Sequence, residues 1–91
     1  MLFRSPVKTT PPRPPSGLVA VPTPPGVRLA WTASPDGDVA LYAVYRATGA
    51  GAFVRIGTTV PPNTLFTDRD VSAGGRYRYA VTALDRARTP N

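Results

Sequence analysis

The chain has 91 residues, twelve of them Pro, with no Cys, His or Glu and a net charge of +6. That length allows one small domain, without disulfides or thiol chemistry. The missing residue types exclude a Ser-His or Cys-His catalytic pair and a histidine metal site. No apolar run approaches the roughly 18 residues that a membrane-spanning helix needs, and no signal-peptide core is visible.

Met1–Ser16 reads as extended chain. Pro6, Pro11, Pro12, Pro14 and Pro15 favour polyproline geometry, remove backbone donors and rule out a helix. A linker is expected over 1–13, followed by a domain over 14–91. Pro11-Pro12-Arg13-Pro14 also has the form of a PxxP ligand, but a spacer is the simpler reading of such a tract. Met1–Ser5 resembles what the end of a common sequencing-library adapter would encode and is not expected to belong to the fold.

Leu18–Val21 forms a short strand closed by Pro22, Pro24, Pro25 and Gly26, because Pro confines a strand to an edge or ends it. Val27, Leu29 and Trp31 then alternate with Arg28, Ala30 and Thr32. Ser34-Pro35-Asp36-Gly37-Asp38 is a strong turn signal. A third strand runs through Tyr42–Tyr45 and ends near Thr48-Gly49-Ala50-Gly51. Phe53–Ile56 gives a fourth and Thr64–Thr67 a fifth, built around Phe66. After Gly74-Gly75, residues Arg76–Leu84 alternate strictly. Tyr77, Tyr79, Val81 and Ala83 take one face; Arg76, Arg78, Ala80 and Thr82 take the other. Short strands separated by Gly, Pro and Asp, with no helical spacing or caps, predict an all-β antiparallel sandwich or barrel.

These pieces resemble a fibronectin type III domain. Pro-Pro-Ser-Gly-Leu stands before strand A, Val-Arg-Leu-Ala-Trp in B and Asp-Val-Ala-Leu-Tyr-Ala-Val-Tyr-Arg in C. Phe-Thr-Asp ends E, and Val-Ser-Ala-Gly-Gly-Arg-Tyr-Arg-Tyr-Ala-Val-Thr-Ala runs into F. The resemblance covers about residues 14 to 88 and is closest to bacterial members found as accessory modules of exported proteins. It implies an immunoglobulin-like β-sandwich with six strands, A-B-C-C′-E-F, and a domain truncated before strand G. Asp85–Asn91 is too short for both a loop and a seventh strand, so strand F would present an open edge. It also implies that Trp31 is the core tryptophan of B with Tyr42 beside it. Tyr77 would be the tyrosine corner, its hydroxyl bonded to backbone upstream, and Val71 would seat the E–F loop. Trp31 and Tyr77 would each bury a large ring while giving a polar atom a partner.

The residues supply no catalytic, cofactor or metal site. Asp36, Asp38 and Asp85 share one pole of the expected sandwich and are candidate Ca²⁺ ligands, but ordinary turn chemistry explains them. Asp68 and Asp70 would brace the E–F turn at the other pole. Tyr45, with Arg46, Arg55, Arg76 and Arg78, forms a candidate basic-aromatic patch on the outer face of C, C′ and F. A solvated sheet face, with Arg stems over Tyr rings, gives the same pattern. The expectation is a non-catalytic spacer or interaction module of a larger, exported bacterial protein, outside the cell or in its envelope, with neighbouring domains as partners. The alternatives are a carbohydrate- or envelope-binding module using the Tyr and Arg patch and, behind it, weak non-specific nucleic-acid binding.

Overall fold

Period-two alternation sets every element of this fold. In the computed structural model, which describes residues 12–72 and 74–85, six strands follow one another. They are β1 (Ser16–Thr23), β2 (Gly26–Thr32), β3 (Val39–Thr48), β4 (Val54–Thr59), β5 (Leu65–Asp68) and β6 (Tyr77–Asp85). All pairings are antiparallel. One sheet has the order β1-β2-β5 and the other β4-β3-β6. This is the expected all-β sandwich, its strands corresponding to A, B, C, C′, E and F. Among the described residues β6 pairs with β3 alone. The expectations for Met1–Ser5 and for a seventh strand after Asp85 lie outside the described residues.

The inner faces meet over one core. Leu29, Trp31, Tyr42, Val44 and Ala83 are buried together, with Leu18, Val27, Val39, Ile56, Phe66, Tyr79 and Val81 packed around them. Trp31 and Tyr42 come from different sheets and meet edge to face, with centroids 5.6 Å apart and ring planes at 70°. That geometry sets the positive edge of one ring against the negative face of the other. Phe66 crosses to β4 above Gly57, where a methyl group would stand 2.5 Å from the phenyl ring. A side chain there would require the Phe66 ring to move.

Three expectations need correction. β1 does not stop at Val21 but continues through Pro22 to Thr23. Among the described residues its partner is β2 alone, and such an edge strand tolerates Pro. β4 starts at Val54 rather than Phe53 and runs on to Thr59, because Phe53 leaves the sheet to lie under Arg78. The indole nitrogen of Trp31 is buried without a hydrogen-bond partner, so the ring is held by packing alone. Tyr42 does make such a bond, accepting from the Ser34 amide at 3.0 Å.

Tyr77 acts as the resemblance implies. Its hydroxyl accepts a hydrogen bond from the Ser72 amide at 2.8 Å, tying the loop before β6 to the sheet. Val71 faces the β1–β2 turn across a hollow shared with Pro22, Pro24, Pro25 and Val27. Tyr77→Phe keeps the ring and loses the tie, so it should cost about 1 kcal/mol. Urea unfolding would show this as a lower midpoint at an unchanged m-value.

Candidate functional site

At the pole formed by the β5–β6 connection, a polar cluster joins the two sheets. Arg46 on β3 follows Tyr42 and Val44 in alternation and therefore points inward. Asp68 on β5 follows Phe66 in the same way. They meet across the sandwich, with both carboxylate oxygens of Asp68 3.0 Å from the Arg46 guanidinium. Their side chains are only 17% and 4% exposed. The Tyr79 hydroxyl donates to Asp68 at 2.9 Å, and the Asp70 amide donates to it at 3.1 Å. Arg46 also donates to the Asp70 carbonyl at 2.9 Å and stacks on the Tyr77 ring with its guanidinium carbon 5.8 Å from the centroid.

Burial alone would raise the Asp68 carboxyl, but the bonds from Arg46, Tyr79 and the Asp70 amide outweigh it and hold it below the usual value. Burial, then the bond to Asp68, pushes the Tyr79 phenol above its ordinary value. A cleft of about 510 Å³ opens here, lined by Arg46, Ile56, Phe66, Thr67, Asp68, Arg69 and Asp70. Its central charges already satisfy one another, so the cluster braces the turn, as expected for Asp68 and Asp70.

Arg46 does not belong to the outer-face patch. Its place there is overturned by the alternation of β3, which puts Tyr45 and Arg46 on opposite faces. The other proposed members do lie on or beside the outer face of the second sheet. Tyr45 sits directly opposite Arg55 across the β3–β4 pair. Arg78 is committed locally: it donates to the carbonyls of Gly49 and Gly51 at 3.1 and 2.7 Å and lies over the Phe53 ring at 5.0 Å. Arg76 is exposed at the start of β6. The patch thus reduces to Tyr45 and Arg55, with Arg76 at its margin.

The opposite pole holds a contact that sequence reading missed. Pro12 is fully buried. Arg13 grips Asp36 in the β2–β3 turn three ways: its amide donates at 2.7 Å, and Nε and Nη2 donate at 3.1 and 2.8 Å. The forked geometry of arginine suits a carboxylate in this way. In turn the Ser34 hydroxyl accepts from the Asp36 amide at 3.2 Å. The sandwich therefore engages Pro12 and Arg13, which the sequence assigns to the linker and which are the two middle residues of the PxxP motif. No local signal announces a pair so distant in sequence.

Asp36, Asp38 and Asp85 do share this pole, since Val39 pairs with Asp85. Among the described residues, however, no group of three His, Cys, Asp or Glu could hold a metal ion, and Asp36 is engaged by Arg13.

Two three-stranded sheets in the orders β1-β2-β5 and β4-β3-β6, with a tyrosine corner at Tyr77, define an immunoglobulin-like sandwich module. An Fn3-like protein from Clostridium thermocellum is 30% identical to the chain, with a TM-score of 0.73 over 87% of this chain and 81% of its own. The chain belongs to the fibronectin type III family. Pectate lyase PelI from Erwinia chrysanthemi, solved with tetragalacturonic acid, superposes with a TM-score of 0.73 at 22% identity, over 86% of this chain. The chain spans only 26% of that enzyme, and the likeness is one of fold. A titin structure, the kinase with its flanking domains, matches at a TM-score of 0.69 and 26% identity, over 82% of this chain and 14% of its own. No family model and no curated protein matches the sequence.

Proposed function

We propose that this module is a non-catalytic spacer in a larger, exported bacterial protein, setting the distance and direction between its neighbouring domains. The observation that carries this reading is the clasp at the entry to the sandwich. A flexible tether would meet the domain through solvated chain. Here the approaching segment is fixed by a buried Pro12 and a three-point grip of Arg13 on Asp36. The backbone direction at Pro12 and Arg13, where the preceding chain joins the module, is therefore defined. The spacer reading is supported by the size of the solved chains it resembles, of which this module spans 26% and 14%. The absence of His, Cys and Glu from the sequence agrees with a role without chemistry, and the partners are the neighbouring domains of an extracellular or envelope protein.

The chain has no cysteine, so spin labels can be placed singly. Labels at Pro14→Cys and Thr58→Cys should give a narrow distance distribution by pulsed electron resonance, and Arg13→Ala should broaden it. An equally broad distribution in both proteins would overturn the rigid-spacer reading.

A second reading rests on Tyr45 opposite Arg55, a ring beside an exposed cation on a sheet face. This pair suits an acidic sugar. Tetragalacturonate would shift the Tyr45 and Arg55 amides saturably if that face binds carbohydrate; no saturable shift would reject it.

A further inference from the structure

The outer face of the first sheet carries a second cationic feature, independent of the spacer role. Leu29, Trp31 and Phe66 face the core, so the residues between them on β2 and β5 face outward. Arg28 stands opposite Thr67, and Ala30 opposite Leu65. One step further along, Gly26 comes level with Arg69. A methyl group at Gly26 would stand 2.5 Å from the Asp68 carbonyl oxygen and 3.4 Å from the Arg69 Cα. The close approach of backbone therefore keeps this position bare. The result is a hollow of about 230 Å³, floored by Gly26 and walled by Thr23, Pro24, Pro25, Arg28, Thr67 and Arg69.

Both arginines are exposed, and neither makes an ion pair or side-chain hydrogen bond among the described residues. Diagonal neighbours on a sheet face lie about 7–8 Å apart. Two like charges at that spacing repel one another unless an anion joins them. Among the described residues no acid joins them: Asp68 turns inward, and the exposed Asp70 carboxylate lies 3.5 Å from Arg46. The Thr67 hydroxyl is likewise without a partner among the described residues. Two guanidinium forks and a hydroxyl around one hollow suit a carboxylate.

Beside the hollow the face is aliphatic. Val19, Val21 and Leu65 are 54%, 52% and 55% exposed. The strand registers place Val19, Ala30 and Leu65 in one row and Val21, Arg28 and Thr67 in the next. The outward residues of these strands include no aromatic ring, so there is no stacking platform for a sugar. We propose that this face docks an acidic, aliphatic polypeptide segment of a partner protein. One of its carboxylates sits between Arg28 and Arg69, and its aliphatic side chains cover Val19, Val21 and Leu65.

The test is an amide-resolved NMR titration of the full chain with three probes. The first is an eight-residue peptide alternating glutamate with leucine; the second has glutamine in place of glutamate; the third is tetragalacturonate. The glutamate peptide should shift the Val21, Arg28, Leu65 and Thr67 amides saturably. Binding should fall at least tenfold with the glutamine peptide and in the Arg28→Gln/Arg69→Gln double variant. That variant changes two exposed side chains, and its unperturbed core amides would confirm that it folds. The proposal is overturned by an absence of saturable shifts, by equal binding of the two peptides, or by unchanged binding in the double variant. Tighter binding of tetragalacturonate at the same amides would also overturn it, assigning the hollow to an acidic glycan instead.

Discussion

Asp68→Ala should cost about 3–5 kcal/mol, the range for removing one partner of a buried ion pair. A domain of this size has a total stability of about 5–15 kcal/mol, so the variant loses a large share of it. The cause is what remains behind. Arg46, with its side chain 17% exposed, would keep its charge with no carboxylate inside the sandwich, and the Tyr79 hydroxyl would lose its acceptor. Asp68→Asn keeps one oxygen, able to accept from the Tyr79 hydroxyl or from the Asp70 amide but not from both at their present places, and should lose less than Ala. Urea unfolding of the three proteins orders them, wild type first and Asp68→Ala last. Equal midpoints would show that the cluster contributes nothing.

The same cluster sets the acid response. The Asp68 carboxyl is held below its unfolded value. Its contribution is therefore fully present above the ordinary aspartate pKa and is lost as pH falls through the lower folded value. Wild type should lose stability as the pH falls below the ordinary aspartate pKa more steeply than Asp68→Asn, which has no proton to take up there. Tyr79 acts in the opposite direction. Its phenol is raised, so its contribution is present below the ordinary tyrosine pKa and is lost as pH rises through the folded one.

Trp31→Ala should cost about 3–5 kcal/mol through the cavity it leaves between Tyr42 and the β2 side of the core. Trp31→Phe separates packing from polarity. The indole N–H is buried with no partner, a condition that itself costs about 1–3 kcal/mol. Removing that donor offsets part of the lost ring volume, so Phe should be far better tolerated than Ala. Thermal unfolding of both variants decides the matter. If Phe proved as damaging as Ala, the indole nitrogen would have a partner after all.

Much of the fold is written in the alternation. Tyr77, Tyr79, Val81 and Ala83 can be assigned to the core from their spacing alone, and the sandwich follows from six such segments broken by Gly, Pro and Asp. The same rule also places Arg46 and Asp68 inside, since each lies two residues beyond a core residue of its own strand. Charge argues against burial, however, and their partnership is visible only when the sheets face one another. Pro22 shows the converse: local chemistry says stop, and the edge position removes the reason to stop. The Arg13–Asp36 clasp, and the hollow over Gly26 between Arg28 and Arg69, depend on contacts between distant segments, which neither periodicity nor composition encodes.

The most direct test of the spacer account is the {¹H}–¹⁵N nuclear Overhauser effect of the Arg13 amide, the group bonded to Asp36 at 2.7 Å. The account predicts a value equal to those of the β2 and β3 amides, falling in Asp36→Ala to the level of a free terminus. A low value in the wild-type chain would contradict it, because the segment entering the module would then move independently of the sandwich.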